Sequence, residues 1–510
     1  MPHRKILEKW VLGTLLIGAL SVARSAGATA LDDYVAEPDP SYSWEFQTTV
    51  PGAGYSVHVV RMTSQTWRSI AEVDAPVWKH WVSIIQPAAA RYSTAMLYID
   101  GRDNGDGPET GNEELITLAL GTSSIVVQLQ QVPNQPVTFA DETRDREEDE
   151  LIAYTWDKFL RGGDERWPAR LPMTKAAVRA MDTAQAFLAS RGVTINDFVV
   201  SGASKRGWTT WATAAVDPRV RAIIPMVIDV LNVERSMLHH FAAYGFWAEA
   251  IGDYEQMGIM NWMRTPELAA LMAIEDPYAY RARYTMPKYM VNATGDQFFL
   301  PDSSQFYFSA LPGEKYLRYV PNTGHGLDTE ALYNVAAYYA AVLNNVARPQ
   351  FSWVKELDGA LRVNAVTPPA QVLLWQATNP ESRDFRIETI QSLDVAWTSS
   401  PLLPNTDEEY LAQIPVPVRG WTAFMVELTY PSGGELPFKF TTEVSVVPLG
   451  LPFGHVEGDV NHSGQMNAVD VQLVINSALG LPGECNCDID NSQTIDATDV
   501  QLGINAALGL

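Results

Sequence analysis

The chain has 510 residues, of which 46% are hydrophobic and 19% charged, enough for a large core and two to four domains, so global disorder is excluded. Its 36 basic and 60 acidic residues leave a formal charge of −24, which repels a phosphate backbone and argues against nucleic acid as a partner. The two cysteines, Cys485 and Cys487, are too few for a disulfide framework and lack the four-ligand spacing of a zinc site.

At the N-terminus, Arg4, Lys5 and Lys9 precede an apolar run from Trp10 to Leu20 and the small residues Ala26, Gly27 and Ala28, the order of a cleavable export signal. The run is shorter than the roughly 18 to 20 apolar residues that span a bilayer. Residues 1–28 are therefore expected to be removed, leaving a mature chain that does not span a membrane and is secreted or held at the cell surface.

From 31 to 347, short β-branched or aromatic runs alternate with longer helix-periodic stretches, the pattern of a mostly parallel sheet covered by helices. Strands are expected at 55–61, 81–86, 95–99, 124–130, 197–201, 220–227, 288–293 and 315–320, with helices at 147–160, 174–190 and 328–343. Within this run, Phe198 to Trp208 reads as strand, glycine-bearing turn and helix. Such a turn exposes one side chain at the carboxyl edge of the sheet and aims free backbone N–H groups at it. That side chain is Ser204. Its motif runs Gly202-Ala203-Ser204-Lys205-Arg206-Gly207, with the second glycine one place later than in G-x-S-x-G, and the competing reading of Ser204 is a plain helix cap. The oxyanion of an acyl transfer would take the Lys205 N–H and the loop after strand 95–99, around Gly101 and Arg102, with the Lys205 ammonium as a further donor. A helix-prone, aromatic-rich insert follows at about 229–287 and is expected to form a lid.

A serine hydroxyl needs a base, and the base needs a carboxylate. His325 lies in a glycine-flanked loop between the last strand and the last helix of the α/β region, and the acid should follow the preceding strand. Asp296 is chosen over Asp302 and Asp229 because it lies directly at that strand's end. The set needs no catalytic cofactor. His239 and His240 are adjacent on a helix and no H-E-x-x-H occurs, so metal-dependent hydrolysis finds little support.

The runs Ser201 to Trp211, Asn292 to Asp302, Pro321 to His325, Pro172 to Val178 and Arg383 to Arg386 resemble the PhoPQ-activated pathogenicity-related proteins over about 35–447. The resemblance implies an α/β-hydrolase fold with a Ser/Asp/His set and an ester or peptide substrate of undefined identity; family members linked to growth repression or virulence leave room for a catalytically silent binding or signalling role. The turn also resembles that of glucuronoyl esterases, which place a basic residue directly after the nucleophile, as Lys205 is here.

Residues 350–447 alternate short strands with turns and are expected to form a β-sandwich, followed by a Pro/Gly-rich linker at 448–456. The tail, 457–510, contains a repeat: Asp459 to Asp470 recurs as Asp488 to Asp499, each followed by Val-Gln-Leu-x-Ile-Asn. Calcium takes six to eight oxygen ligands, which a loop with acidic or amide groups at alternate positions delivers. That spacing assigns Asp459, Asn461, Ser463, Gln465 and Asp470 to one ion and Asp488, Asp490, Ser492, Thr494 and Asp499 to a second, with Asn467 and Asp496 at the position where water often intervenes. The repeat resembles a type I dockerin, a small all-α calcium module, which implies attachment to a cohesin-type domain or cell-surface scaffold.

Overall fold

The computed structural model describes residues 28–406, 408–453, 460, 466, 468–481, 487–489 and 494–508. All of the expected export signal but its last residue, Ala28, lies outside them.

A helix α1 (Ala30–Ala36) opens the described chain, capped reciprocally by Thr29 and Asp32. It buries Leu31 and Tyr34 against the main core, a local element that its seven residues did not announce. The central sheet then begins with β1 (Ser43–Gly52), β2 (Tyr55–Thr66), β3 (Val77–Pro87), β4 (Thr94–Ile99) and β5 (Val126–Leu129). It continues with β6 (Asp197–Ala203), β7 (Val220–Met226), β8 (Lys288–Ala293) and β9 (Lys315–Val320). Helices α2 (Glu113–Thr122), α3 (Glu148–Gly162), α4 (Arg170–Ala189), α5 (Lys205–Val216) and α6 (Val233–Tyr244) occupy the connections, and a helix at Thr329–Leu343 follows β9.

The spatial order is β1-β2-β3-β5-β4-β6-β7-β8-β9, antiparallel up to β5 and parallel from there to β9. This is a mixed α/β sheet with its crossovers on both faces. The sequence encodes the burial directly: Met96, Val126, Val199 and Ile224 enter one core cluster, while their neighbours Leu97, Val127, Val200 and Ile223 enter the other. Successive side chains leave a strand on opposite faces, so strands covered on both faces read as unbroken apolar runs.

The region 350–447 differs from the separate β-sandwich expected there. Four of its strands, β10 (Gln371–Asn379), β11 (Thr398–Pro401), β12 (Trp421–Tyr430) and β13 (Phe438–Thr441), extend the central sheet in the order β9-β13-β12-β10-β11, with β14 (Ser445–Val447) also paired to β12. The junction is an antiparallel pairing of Leu317 with Thr441. The physical reason is the edge of β9: its unpaired N–H and C=O groups are best satisfied by another strand. A second sheet of Ser352–Lys355, Leu361–Asn364 and Glu409–Ala412 shares a core with β12 and β13 through Leu361, Val363, Val426 and Phe440. Two layers therefore exist, one of them continuous with the α/β sheet.

Buried charge secures the same junction. Arg318 on β9 reaches Glu427 on β12 at 2.5 Å and Glu330 at 2.6 Å, and its Nε donates to Asn334. Among the described residues, no helix is long and apolar enough to cross a membrane.

Candidate active site

Strand β6 delivers Ser204 into α5. Its backbone is held at φ +56°, ψ −128°, a region that costs a non-glycine residue about 1–3 kcal/mol and persists only where the surroundings impose it. The Ser204 N–H is fixed to the Met226 carbonyl at 2.9 Å and its carbonyl accepts from Trp208 at 2.9 Å. The hydroxyl makes no capping bond, so the plain-cap alternative is not what this serine does. Two glycines permit the turn: a Cβ on Gly202 would meet the Arg206 carbonyl at 2.8 Å, and one on Gly207 would meet the Met226 carbonyl at 2.9 Å. The late second glycine thus marks where α5 presses on the end of β7.

Two strands away, β8 leads into Thr294-Gly295-Asp296. A Cβ on Gly295 would meet the Thr323 carbonyl at 2.9 Å, so this loop and the loop carrying His325 can lie in direct contact. Both Asp296 oxygens lie 2.9 Å from His325 Nδ1, and Oδ1 also accepts from the Phe298 N–H at 2.8 Å. The His325 N–H donates to Gln297 Oε1 at 2.8 Å. A carboxylate at Nδ1 fixes the proton there and leaves Nε2 as the basic nitrogen. Nε2 is buried and has no hydrogen-bond partner. No hydrogen bond joins it to Ser204 in this conformation; the Phe298 ring lies 4.3 Å from the imidazole and also lines the cavity at Ser204.

The remaining expected carboxylates are engaged elsewhere. Asp229 accepts from the Tyr307 and Tyr319 hydroxyls at 2.6 and 2.5 Å, and burial pushes its carboxyl up to about 7. Asp302 takes His239 Nε2 at 3.0 Å and Arg383 Nη2 at 2.6 Å.

Around the turn, the Lys205 ammonium is committed to Glu148 at 2.7 Å and Asp149 at 2.8 Å, while Arg206 binds both oxygens of Glu148. Burial works to raise the Glu148 carboxyl, but these two cations outweigh it and hold it at about 2. The expectation of the Lys205 ammonium as an oxyanion donor therefore has to compete with two carboxylates. Its backbone N–H is different: as the first helical residue it has no intrahelical acceptor, and it lies at the positive end of α5. Gly101 packs against the Arg206 guanidinium, where a Cβ would come within 2.6 Å, and its N–H goes to Asp100 Oδ1 at 2.8 Å. Arg102 has φ +88°, and its side chain pairs with Asp106 and Glu109 at 3.5 and 3.6 Å. Glu148, Asp149 and Phe298 were not singled out from the sequence. The signal available was the acidic first turn of α3, which reads equally well as ordinary support for a helix dipole.

A narrow cavity of about 60 Å³ adjoins Ser204. Its walls come from Trp156, Trp208 and Phe298 and from insert residues including Val230, Met237 and Met272.

In the tail, helices Ala468–Ala478 and Ala497–Leu508 form and pack through Val460, Val474 and Cys487. Cys487 is buried there. Asp470 and Asp499 are fully buried at the helix starts. Asp499 accepts from the Ile489 and Asp496 N–H groups at 2.6 and 2.9 Å, tying helix to loop. Asp488 and Thr494 are also described; Asp459, Asn461, Ser463, Gln465, Asp490 and Ser492 lie outside the described residues.

Three comparisons bear on this architecture. Autocrine proliferation repressor protein A of Dictyostelium discoideum is 39% identical over 468 residues, covering 86% of this chain and 94% of that protein. Among solved structures, acetyl xylan esterase 1 from Thermoanaerobacterium sp. aligns with 62% of this chain and 92% of its own at 16% identity and a TM-score of 0.42. An acetyl xylan esterase from Paenibacillus sp. aligns with 62% and 91% at 15% identity and 0.43; at such scores neither says anything of activity. The family profile of the PhoPQ-activated pathogenicity-related proteins matches residues 31–386, and the chain belongs to that family.

Proposed function

We propose that the protein is an exported serine hydrolase that cleaves an ester or amide. Ser204 Oγ attacks the carbonyl carbon, His325 Nε2 takes its proton and returns it to the leaving group, and Asp296 holds the imidazolium. The Lys205 N–H and the Arg102 N–H supply donors for the oxyanion, since the Gly101 N–H is held by Asp100. The observation that carries this reading is Ser204 itself, a strained serine at a sheet's carboxyl edge whose hydroxyl caps nothing. Closure must bring Ser204 and His325 into hydrogen-bond reach, as catalytic contacts often tighten only with substrate bound; the insert acts as the lid. Labelling with a fluorophosphonate probe tests it: wild type should be modified on Ser204, and labelling that persists in Ser204→Ala removes the assignment.

A second reading, a binding or signalling protein without turnover, draws on the missing Ser204–His325 bond in this conformation and on the name of the Dictyostelium relative. A broad ester and peptide panel on correctly folded protein separates the two. For the tail, the reading is a calcium-binding dockerin that attaches the enzyme to a cohesin-type partner. Calcium titration of the full chain should show uptake and a gain in helix, and their absence would exclude it. Removal of residues 1–28 is checked by N-terminal sequencing of exported protein.

A further inference from the structure

The cavity at Ser204 is short and apolar. Its volume of about 60 Å³, set against the roughly 10–15 Å³ that one water needs on the same measure, leaves room for a handful of heavy atoms. The aromatic and aliphatic groups around it, Trp208, Val230, Met237, Met272 and Phe298 among them, offer mainly dispersion contacts; of the polar atoms on its aromatic walls, Trp208 Nε1 is spent on the Glu275 carbonyl at 2.6 Å and the Tyr254 hydroxyl on Asp149 at 3.0 Å, while Trp156 Nε1 is buried without a partner. The charged groups that border it are committed to one another: Lys205 to Glu148 and Asp149, and Arg170 to Glu275, the Lys205 carbonyl and Thr209. One Arg170 nitrogen, Nη2, remains buried without a partner, but the guanidinium charge is already balanced by Glu275.

We infer that this cavity receives the acyl group, and that the substrates are esters of short, uncharged aliphatic acids of two to four carbons; the inference rests on Ser204 being the nucleophile. In acylation the Ser204 Oγ–carbon bond forms, the ester carbon–oxygen bond breaks, and the serine proton passes through His325 to the departing alcohol. Water then adds to the acyl carbon, returns its proton to Ser204 through His325, and the acid leaves. The alcohol departs first, so it belongs on the open side. The acyl group stays through the second step, and an apolar slot under the insert suits the part that stays. Met237 and Met272 line it, and thioether side chains adapt to small differences in length.

The test uses the full chain with p-nitrophenyl acetate, butyrate, octanoate and hemisuccinate, alongside labelling by an ethyl fluorophosphonate. The expected kcat/KM falls at least about 100-fold from butyrate to octanoate, since single methylenes are worth roughly 10 to 200-fold in a fitted pocket. Hemisuccinate is expected to fall as far. Met237→Ala and Met272→Ala should each raise the octanoate to acetate ratio about tenfold, a ratio that partial misfolding does not change. If Ser204 is labelled but octanoate or hemisuccinate rivals butyrate, or neither substitution moves the ratio, the acyl-pocket inference is overturned while the nucleophile stands. If Ser204 is not labelled, the nucleophile reading falls and takes this one with it.

Discussion

Among the described residues, two histidine–aspartate pairs have nearly equal separations and opposite wiring. His325 meets Asp296 through Nδ1 at 2.9 Å and keeps Nε2 without a partner. His239 meets Asp302 through Nε2 at 3.0 Å, the nitrogen a general base would need. Asp302 is further bound by Arg383 and by Gln305. Burial works to raise the Asp302 carboxyl, but Arg383 and His239 outweigh it and hold it well below the usual carboxylate range. The second pair braces α6, the loop after β8 and the segment after β10. A His–Asp contact is thus no sign of chemistry by itself; which ring nitrogen it consumes, and what else the carboxylate holds, separate a base from a brace.

The sharpest way to break that contrast is at the proposed triad. Ser204→Ala and Asp296→Asn should each lower ester hydrolysis by on the order of 10⁴-fold, with the unfolding midpoint in urea close to wild type. Asp302→Asn should do the reverse, costing about 3–5 kcal/mol of stability because Arg383 is left buried and unpaired, while kcat in the folded fraction changes less than roughly tenfold. Should Asp302→Asn silence a fully stable enzyme, brace and base have been exchanged.

A smaller effect separates the buried carboxylates by pH. Asp302 has a depressed folded pKa, so its contribution is present above the unfolded value of about 3.9 and is lost as pH falls through the folded one. Asp229 has a raised one, about 7. Between roughly pH 4 and pH 7 the unfolded chain releases this proton and the folded chain keeps it, so stability declines with rising pH by up to about 1.4 kcal/mol per unit. Urea midpoints from pH 4.5 to 8 should show Asp229→Asn flattening that decline; an unchanged slope would exclude the assignment. The smallest expected change is from Arg102→Ala, whose half-exposed ion pairs at 3.5 and 3.6 Å are worth about 0–1 kcal/mol. Because only its backbone is proposed to face the oxyanion, kcat should hold within about threefold; a hundredfold loss would bring the side chain into the site.

Much of the core was legible. Strands 288–293 and 315–320 and the helix ending at Leu343 form where the apolar runs placed them, because a strand buried on both faces has few other readings. His325 lies against Asp296, the expected carboxylate directly after the strand that precedes the histidine's, whereas Asp302 and Asp229 are drawn to partners far along the chain. Less legible was α1, whose burial depends on a groove that the rest of the fold supplies, and the fate of 350–447. Alternating strands announce a sheet but not which edge they will join, and that choice fell to β9 through Arg318, Glu427 and the Leu317–Thr441 pairing.

By itself the sequence determined what local pattern and chain order can carry: a two-faced α/β sheet, a serine turn flanked by Gly202 and Gly207, a histidine loop behind the last parallel strand, and a repeat with oxygen ligands at alternate positions. Tertiary structure decided what depends on distant residues converging. It committed Lys205 to Glu148 and Asp149, gave Asp302 to Arg383, left the Ser204 hydroxyl uncapped beside a small apolar space, and joined the C-terminal strands to the central sheet. Local preferences act over a few neighbouring residues, whereas charge pairing, cavity size and sheet-edge satisfaction are settled only when segments dozens of residues apart compete for the same contacts.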